Sequence, residues 1–234
     1  MKIGLLSDIH ANAHALKAVL KSAKEKEVSK LLCCGDYIGY YYEPHKIIPL
    51  LDQWDWEGVS GNHEAMLNNL LNKKNQKEKI SAKYGSGISI AAEKLDYDAI
   101  IRYNKMPIKK KLTINDHKVL LCHGSPWDRD FYVYPDANEK IKNKMFTYDS
   151  DFDLLVFGHT HYPVSWEKNN QKIINPGSVG QPRDRIPGAA WALWDTSLNE
   201  VNFYKEEYDV NLIIDMCSKH NPEIDYLSKV LIRK

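Results

Sequence analysis

Five apolar runs in this chain end in side chains able to hold a metal ion or carry a proton. KIGLLS leads into Asp8-Ile9-His10, and KLLCC into Gly35-Asp36. WEGVS leads into Gly61-Asn62-His63-Glu64, KVLLC into His123-Gly124, and LLVF into Gly158-His159-Thr160-His161. The GHTH stretch demands most explanation, with two imidazoles one residue apart directly after a buried run. In open α/β sheets, sites form beyond the carboxyl ends of the strands, so these residues should converge on one edge. Asp8, His10, Asp36, Asn62, His123, His159 and His161 offer only oxygen and imidazole nitrogen. Such donors suit Mn, Fe, Zn, Ni or Co better than calcium or a thiolate cluster. Cys122 precedes His123, but strand alternation points it away. These seven donors exceed the needs of one tetrahedral ion. With one carboxylate bridging, they suit two divalent ions with open, water-filled positions. The glycines before Asp36, Asn62 and His159 permit sharp turns and close backbone approach.

The elements that must carry this edge show in periodicity. KIGLLS reads as a buried strand. ANAHALKAVLKSAKEKE then places Ala15, Leu16, Val19, Leu20 and Ala23 on one helical face. SKLLCCGD is a second strand, EPHKIIPLLDQ a short helix opened by Pro44, and WEGVSGNHE a third strand with its exit loop. This alternation implies parallel pairing with right-handed crossovers. Residues 63–104 read as helical, first HEAMLNNLLNKKNQ and then GISIAAEKLDYDAIIRYN, ending before Pro107. Hairpins are expected at Asn115-Asp116, at Asn169-Asn170 and near residues 197–199, with FDLLVFGHT a strand between the first two. NLIIDMCSK suggests a helix in the tail. The order predicts one domain over residues 1–234, with two facing sheets and outer helices.

Composition excludes little but is consistent. Of 234 residues 43% are apolar and 27% charged, and 32 basic residues nearly cancel 31 acidic ones. No global charge draws the chain to nucleic acid or to an anionic membrane. No apolar stretch reaches the length of a membrane span, and polar residues interrupt the N-terminal apolar run before a signal peptide could form. Cys33, Cys34, Cys122 and Cys217 show no C-x-x-C pairing and read as reduced thiols of a cytoplasmic protein.

Several residues have plainer readings. Asp8 and Asn12 could cap a helix, and Glu64 could sit near a helix dipole's positive end. His14 and His45 read as helix-surface or packing residues, and His117 as a solvated turn residue. Lys109–Lys111 reads as an exposed strand edge. The aromatic segments YIGYYY (37–42) and PWDRDFYVYP (126–135) could pack long loops, or form a lid that stacks a flat group.

D-x-H, G-D, G-N-H-E, a later H-G and G-H-T-H, in this order, resemble the calcineurin-like metallophosphoesterases. INPGSVGQPRD (174–184) is similar to a segment of that family's small prokaryotic branch. The resemblance implies a four-layer αββα sandwich of two facing mixed sheets with outer helices. It implies a first metal on Asp8, His10, Asp36 and His161, and a second on Asp36, Asn62, His123 and His159, with Asp36 bridging. His63 would stand beside the leaving group and would not be a ligand. Many members have G-D-x-x-D, whose second Asp orients this histidine. Here GDYIGYYYEP has Gly39 at that place, like the prokaryotic G-D-x-x-G-Y variant, so that partnership is in question.

On such a site two ions about 3.5–4 Å apart would turn a bridging water into hydroxide near neutral pH and hold phosphorus in line for attack. Asn62 could ligate through its carbonyl oxygen while its NH₂ faces phosphate. A protonated His63 could donate to the leaving oxygen. Arg183, after the NPGS turn, could clamp a phosphate oxygen. The expectation is a dinuclear metal-dependent phosphoesterase acting on phosphodiesters or phosphomonoesters, its substrate a phosphorylated small molecule or nucleotide. A dinucleoside polyphosphate hydrolase or a protein phosphatase is the alternative on the same site. A non-catalytic scaffold, like the retromer subunit that resembles these enzymes, would have lost ligands that are all present here. A nuclease would want a basic groove that the charge balance does not supply. Oligomeric state is open.

Overall fold

The computed structural model describes residues 1–72, 77–149 and 151–234. The N-terminal third alternates as the periodicity predicts: β1 (Lys2–Leu6), α1 (Ala13–Glu25), β2 (Lys30–Cys33), α2 (Pro44–Leu51) and β3 (Trp56–Gly58). β2 pairs parallel with both β1 and β3. Asn12 caps α1 by accepting the Ala15 N–H at 3.1 Å. α1 buries the face read from its spacing, including Leu16 and Val19.

Residues 63–104 are helical as read, but the second run, GISIAAEKLDYDAIIRYN, divides into two helices and a further helix precedes it. They fold as α3 (Asn62–Asn72), α4 (Lys77–Tyr84), α5 (Gly87–Lys94) and α6 (Tyr97–Lys105), with residues 73–76 outside the described residues. Gly85, at φ +76°, turns the chain between α4 and α5. Asp96 starts α6 by accepting the Ala99 N–H at 2.8 Å.

The hairpins follow. β4 (Lys109–Ile114) and β5 (His117–Cys122) turn at Asn115-Asp116, both at positive φ (47° and 68°), as a type I′ turn requires. α7 (Glu139–Thr147) had no clear signal in the sequence, and β6 (Leu154–Val156) follows it. β7 (Val164–Lys168) and β8 (Gln171–Asn175) turn at Asn169-Asn170, and β9 (Ala189–Asp195) pairs with β10 (Glu200–Glu206). The tail forms α8 (Asn211–His220) and a further helix, α9 (Tyr226–Ile232).

The strands make two mixed five-stranded sheets, β10-β9-β1-β2-β3 and β4-β5-β6-β8-β7. Alternation sorts their side chains. Ile3 and Leu5 of β1 meet Val119 and Leu121 of β5 and Val156 of β6 in a core between the sheets, closed by Trp194. Leu6 turns the other way, against α1. Leu120, Cys122 and Leu155 turn outward against Met145 and Phe146 of α7. The result is the four-layer αββα sandwich. Truncating Leu5 to Ala in the fully buried inner core would cost about 2–5 kcal/mol.

The lysines of β4 lie on a sheet edge as read. His117 is not simply solvated: its Nε2 lies 3.1 Å from the Thr196 carbonyl and its ring packs on Trp194. All four cysteines are free and buried. Among the described residues no helix is long and apolar enough to cross a membrane.

Candidate metal centre

The five strand ends meet where the sheets' carboxyl edges face each other. The Asp8 N–H donates to the Gly35 carbonyl at 3.1 Å, and Gly158 N–H to the His123 carbonyl at 2.7 Å. The sheets are stitched by the His159 N–H, which donates to Asp8 Oδ2 at 3.0 Å. Gly158 makes that approach possible, since a Cβ there would fall 1.8 Å from Ser7 Oγ. Asp8, His10, Asp36, Asn62, His123, His159 and His161 are all buried. Asp8, His10, Asp36, His159 and His161 are held at positive φ, between 51° and 69°. Such backbone strain collects at functional sites, at a cost of about 1–3 kcal/mol per residue.

The hydrogen bonds on the outer side of each ring decide what its inner side can do. His10 Nδ1 lies 3.2 Å from the Ile38 carbonyl, and His161 Nδ1 lies 2.6 Å from the Gln181 carbonyl. A carbonyl accepts only, so both Nδ1 atoms carry hydrogen and both neutral rings turn a bare Nε2 inward. Those Nε2 atoms are 3.1 Å apart. Asp8 Oδ1, 3.4 Å from His161 Nε2, is buried and has no hydrogen-bond partner among the described residues. Lone pairs so placed need a donor or a cation between them. Burial first, then neighbouring positive groups, push both rings well below the ordinary histidine value, so neither ring carries a proton there. Burial pushes the Asp8 carboxyl up to about 7.

The second flank repeats the pattern. His123 Nδ1 lies 2.6 Å from the Cys34 carbonyl, and His159 Nε2 lies 3.2 Å from the Asp130 carbonyl. Their inner nitrogens are 3.1 Å apart, with Asn62 Oδ1 at 2.9 Å and Asp36 Oδ2 at 3.3 Å from His123 Nε2. Burial lowers His159 to about 3. Burial also disfavours charge on His123, but Asp36 outweighs it and raises this ring to about 9. Here a proton can stand where an ion would. Burial alone would raise Asp36, yet the imidazoles around it, His123 first, hold its carboxyl well below the usual carboxylate range. Asp36 Oδ2 is also 3.8 Å from His10 Nε2, so it reaches both flanks. Asp8–His10–His161 and Asp36–His123–His159 are each close enough to share an ion. Metal-bound imidazoles ordinarily donate their other N–H to a carbonyl or carboxylate, as all four do here. The donor set therefore fits divalent metal.

His63 is built differently. Its Nε2 lies 3.8 Å from Asp36 Oδ2, and it could complete a further group with His10 and Asp36. Its Nδ1, however, is buried with no hydrogen-bond partner among the described residues. Gly39, at φ +89°, explains why no carboxylate holds it, because a Cβ there would lie 1.9 Å from His63 Nδ1. Rings fix its position instead: Tyr40 at 4.9 Å, Tyr84 at 5.3 Å and His10 at 4.7 Å between centroids. Burial lowers His63 to about 4, so the ring is neutral at pH 7.

Arg183 donates through Nη2 to the Tyr40 hydroxyl (3.0 Å) and to Gln181 (3.1 Å), and its Nε is buried without a partner among the described residues. Tyr40 in turn packs edge-on against His10 at 4.6 Å. The structure thus brings every candidate residue to one place.

Glu64, Asn175 and Ser178 hold the donors in place. Glu64 does more than face a helix dipole. Its carboxylate accepts the backbone N–H groups of Asp36, Tyr37, Ile38 and Gly61 at 2.8–3.3 Å, fixing the loop that presents Asp36. Asn175 ties the Gly158 carbonyl at 2.8 Å, and the Ser178 hydroxyl donates to the Asp8 carbonyl at 2.7 Å. The GNHE and INPGS stretches carried that signal, but the partners are distant in sequence. The two aromatic segments part company. Tyr37, Tyr41 and Tyr42 are packing, whereas Tyr132 and Tyr134 reach solvent.

The family model for the calcineurin-like phosphoesterase superfamily domain matches residues 1–198. The chain belongs to that superfamily. It is 30% identical over 229 residues to the uncharacterized protein MJ0912 of Methanocaldococcus jannaschii, covering 89% of this chain and 88% of that protein. It is 22% identical over 211 residues to the phosphodiesterase YfcE of Escherichia coli, covering 86% of this chain and 91% of that one. The crystal structure of a metallophosphoesterase from Sphaerobacter thermophilus superposes with a TM-score of 0.82 at 25% identity, over 100% of this chain and 99% of that one.

Proposed function

We propose that this protein is a metal-dependent phosphoesterase that hydrolyses a P–O bond of phosphodiesters, with two divalent ions on the flanks of Asp36. The observation that carries this reading is the pair of facing imidazole nitrogens on each flank, every ring held by a carbonyl on its outer side. Asp8, His10, Asp36 and His161 would hold one ion, and Asp36, Asn62, His123 and His159 the other. Mn, Fe, Ni, Co and Zn all match these donors. When bound, such ions supply an activated water and neutralise phosphoryl oxygens.

The chain's own residues do the rest. Asn62 keeps its NH₂ free to face a phosphate oxygen, since only its Oδ1 is turned to His123. Arg183 retains a donor for a second oxygen, and its charge acts on buried Asp8. His63 lies beside the His10 flank and would hydrogen-bond the leaving oxygen. With Gly39 in place of a carboxylate, it would do so as a ring held by packing. The substrate is then a phosphorylated small molecule or nucleotide. The likeness to a phosphodiesterase over most of its length supports the diester reading. The complete donor set argues against a scaffold.

The test is a screen of metal-stripped protein reloaded with Mn, Ni, Mg or Zn. Its substrates are aryl phosphodiesters, aryl phosphomonoesters, cyclic nucleotides, dinucleoside polyphosphates and phosphopeptides. Diester hydrolysis that depends on added metal is expected. Folded, metal-loaded protein that cleaves none of these would refute the reading, and a clear preference for phosphopeptides would redirect it to protein phosphatase.

A further inference from the structure

The loop after β5 carries an exposed aromatic pair at the mouth of the site. Tyr132 and Tyr134 are 45% and 44% exposed, yet their rings stack at 5.8 Å with only 15° between planes. Tyr132 lies 4.0 Å from the His159 ring, and Tyr134 packs edge-on against Tyr162 at 6.0 Å. The loop is well pinned. Val133, between them, is fully buried in the core beneath α7, the Asp130 carbonyl faces His159, and the Ala137 N–H returns to the Tyr134 carbonyl at 3.0 Å. An ordered, solvent-facing stack of rings one side chain from a phosphate site is an unusual use of apolar surface. Aromatic platforms of this kind hold bases by stacking.

The shelf stands on the His159 side, whereas His63 stands on the His10 side with Tyr40 and Tyr84. The two ester arms of a diester should therefore separate. We propose that Tyr132 and Tyr134 form a subsite for the flat aromatic group on the retained arm of a phosphodiester, with a nucleoside as the fitting class. This rests on the diester reading above. Water's oxygen bonds to phosphorus, the P–O bond to the alcohol on the His63 side breaks, and a proton given up by that water ends on the leaving oxygen. The product kept on the shelf is a nucleoside monophosphate.

Two diesters with the same leaving group test this on the metal-loaded protein: thymidine 5′-(4-nitrophenyl) phosphate and methyl 4-nitrophenyl phosphate. The wild type should favour the nucleoside ester in kcat/KM. Tyr132→Ala should lower that preference by about tenfold and Tyr134→Ala by a few-fold, through KM, because stacking is lost. Tyr132→Phe and Tyr134→Phe should keep it, because the ring and not the hydroxyl stacks. Metal content is measured in every variant, and Tyr134→Ala serves where Tyr132→Ala disturbs His159. Thymidine 5′-monophosphate binding by calorimetry should weaken in the same order. An unchanged preference, or an equal fall for both esters, overturns the subsite. If neither ester is cleaved, the diester reading fails. Monophosphate binding that needs the two rings would still uphold the shelf, and binding indifferent to them would sink it.

Discussion

On one flank of Asp36, His10 and His161 are tied to the Ile38 and Gln181 carbonyls, and burial keeps both rings uncharged. On the other, His123 is drawn up to about 9 by Asp36, and His159 is tied to Asp130 in a loop that reaches solvent. The same side-chain chemistry thus yields two unlike sites. On the first both inner nitrogens are bare, and the group that can carry a proton is the Asp8 carboxyl, raised to about 7 by burial. The second can trade an ion for a proton on His123, and its outer support lies near the surface.

Asp36→Asn attacks what the flanks share and should have the largest effect. Loss of both ions and a fall in turnover on the order of a thousandfold are expected, beyond the 10–100-fold that outer partners usually cost. Elemental analysis with steady-state kinetics checks this, and full occupancy at full rate would remove Asp36 from the bridging position. His161→Ala and His159→Ala separate the flanks. Each should keep about one ion, at the His123 side in the first variant and the His10 side in the second, as anomalous scattering would show. Retention of the same ion in both would contradict the division.

His63→Ala should leave both ions in place and lower turnover by about a hundredfold on substrates with poor leaving groups. An unchanged rate on such substrates would release His63 from the chemistry. Glu64→Gln is expected to be mildest. Weakened hold on the Asp36 loop should reduce metal affinity about tenfold, measured by competition with a chelating dye, and equally at both flanks because Asp36 serves both. A loss confined to one flank would show that the carboxylate is not shared.

The two tyrosine-rich segments show where sequence reading stops. Residues 37–42 and 126–135 look alike as strings, and each follows a ligand-bearing strand. One is held inside by α8 and α9, where the Tyr41 hydroxyl donates to the Leu227 carbonyl and Tyr42 to Asn221. The other has Val133 as its buried plug, which leaves the rings on either side to face out. Burial there depends on helices from the far end of the chain, one of which gave no clear periodic signal. The helical reading of residues 63–104 is right in type, and what it lacked is the division of the second run into two helices and the helix before it. Gly85 turns the chain between α4 and α5, and Asp96 caps α6 and so parts it from α5.

The donors, their order at the strand ends and the glycines that let backbone come close are properties of residue type and local alternation, and so the string of amino acids determined them unaided. Which ring nitrogen faces inward was decided by the fold, because it depends on carbonyls such as Cys34 beside His123, 89 residues away. The same holds for the ring packing around His63 that Gly39 permits and for the exposure of Tyr132 and Tyr134. Such contacts are distances between segments, and distances exist only once the two sheets have closed on each other.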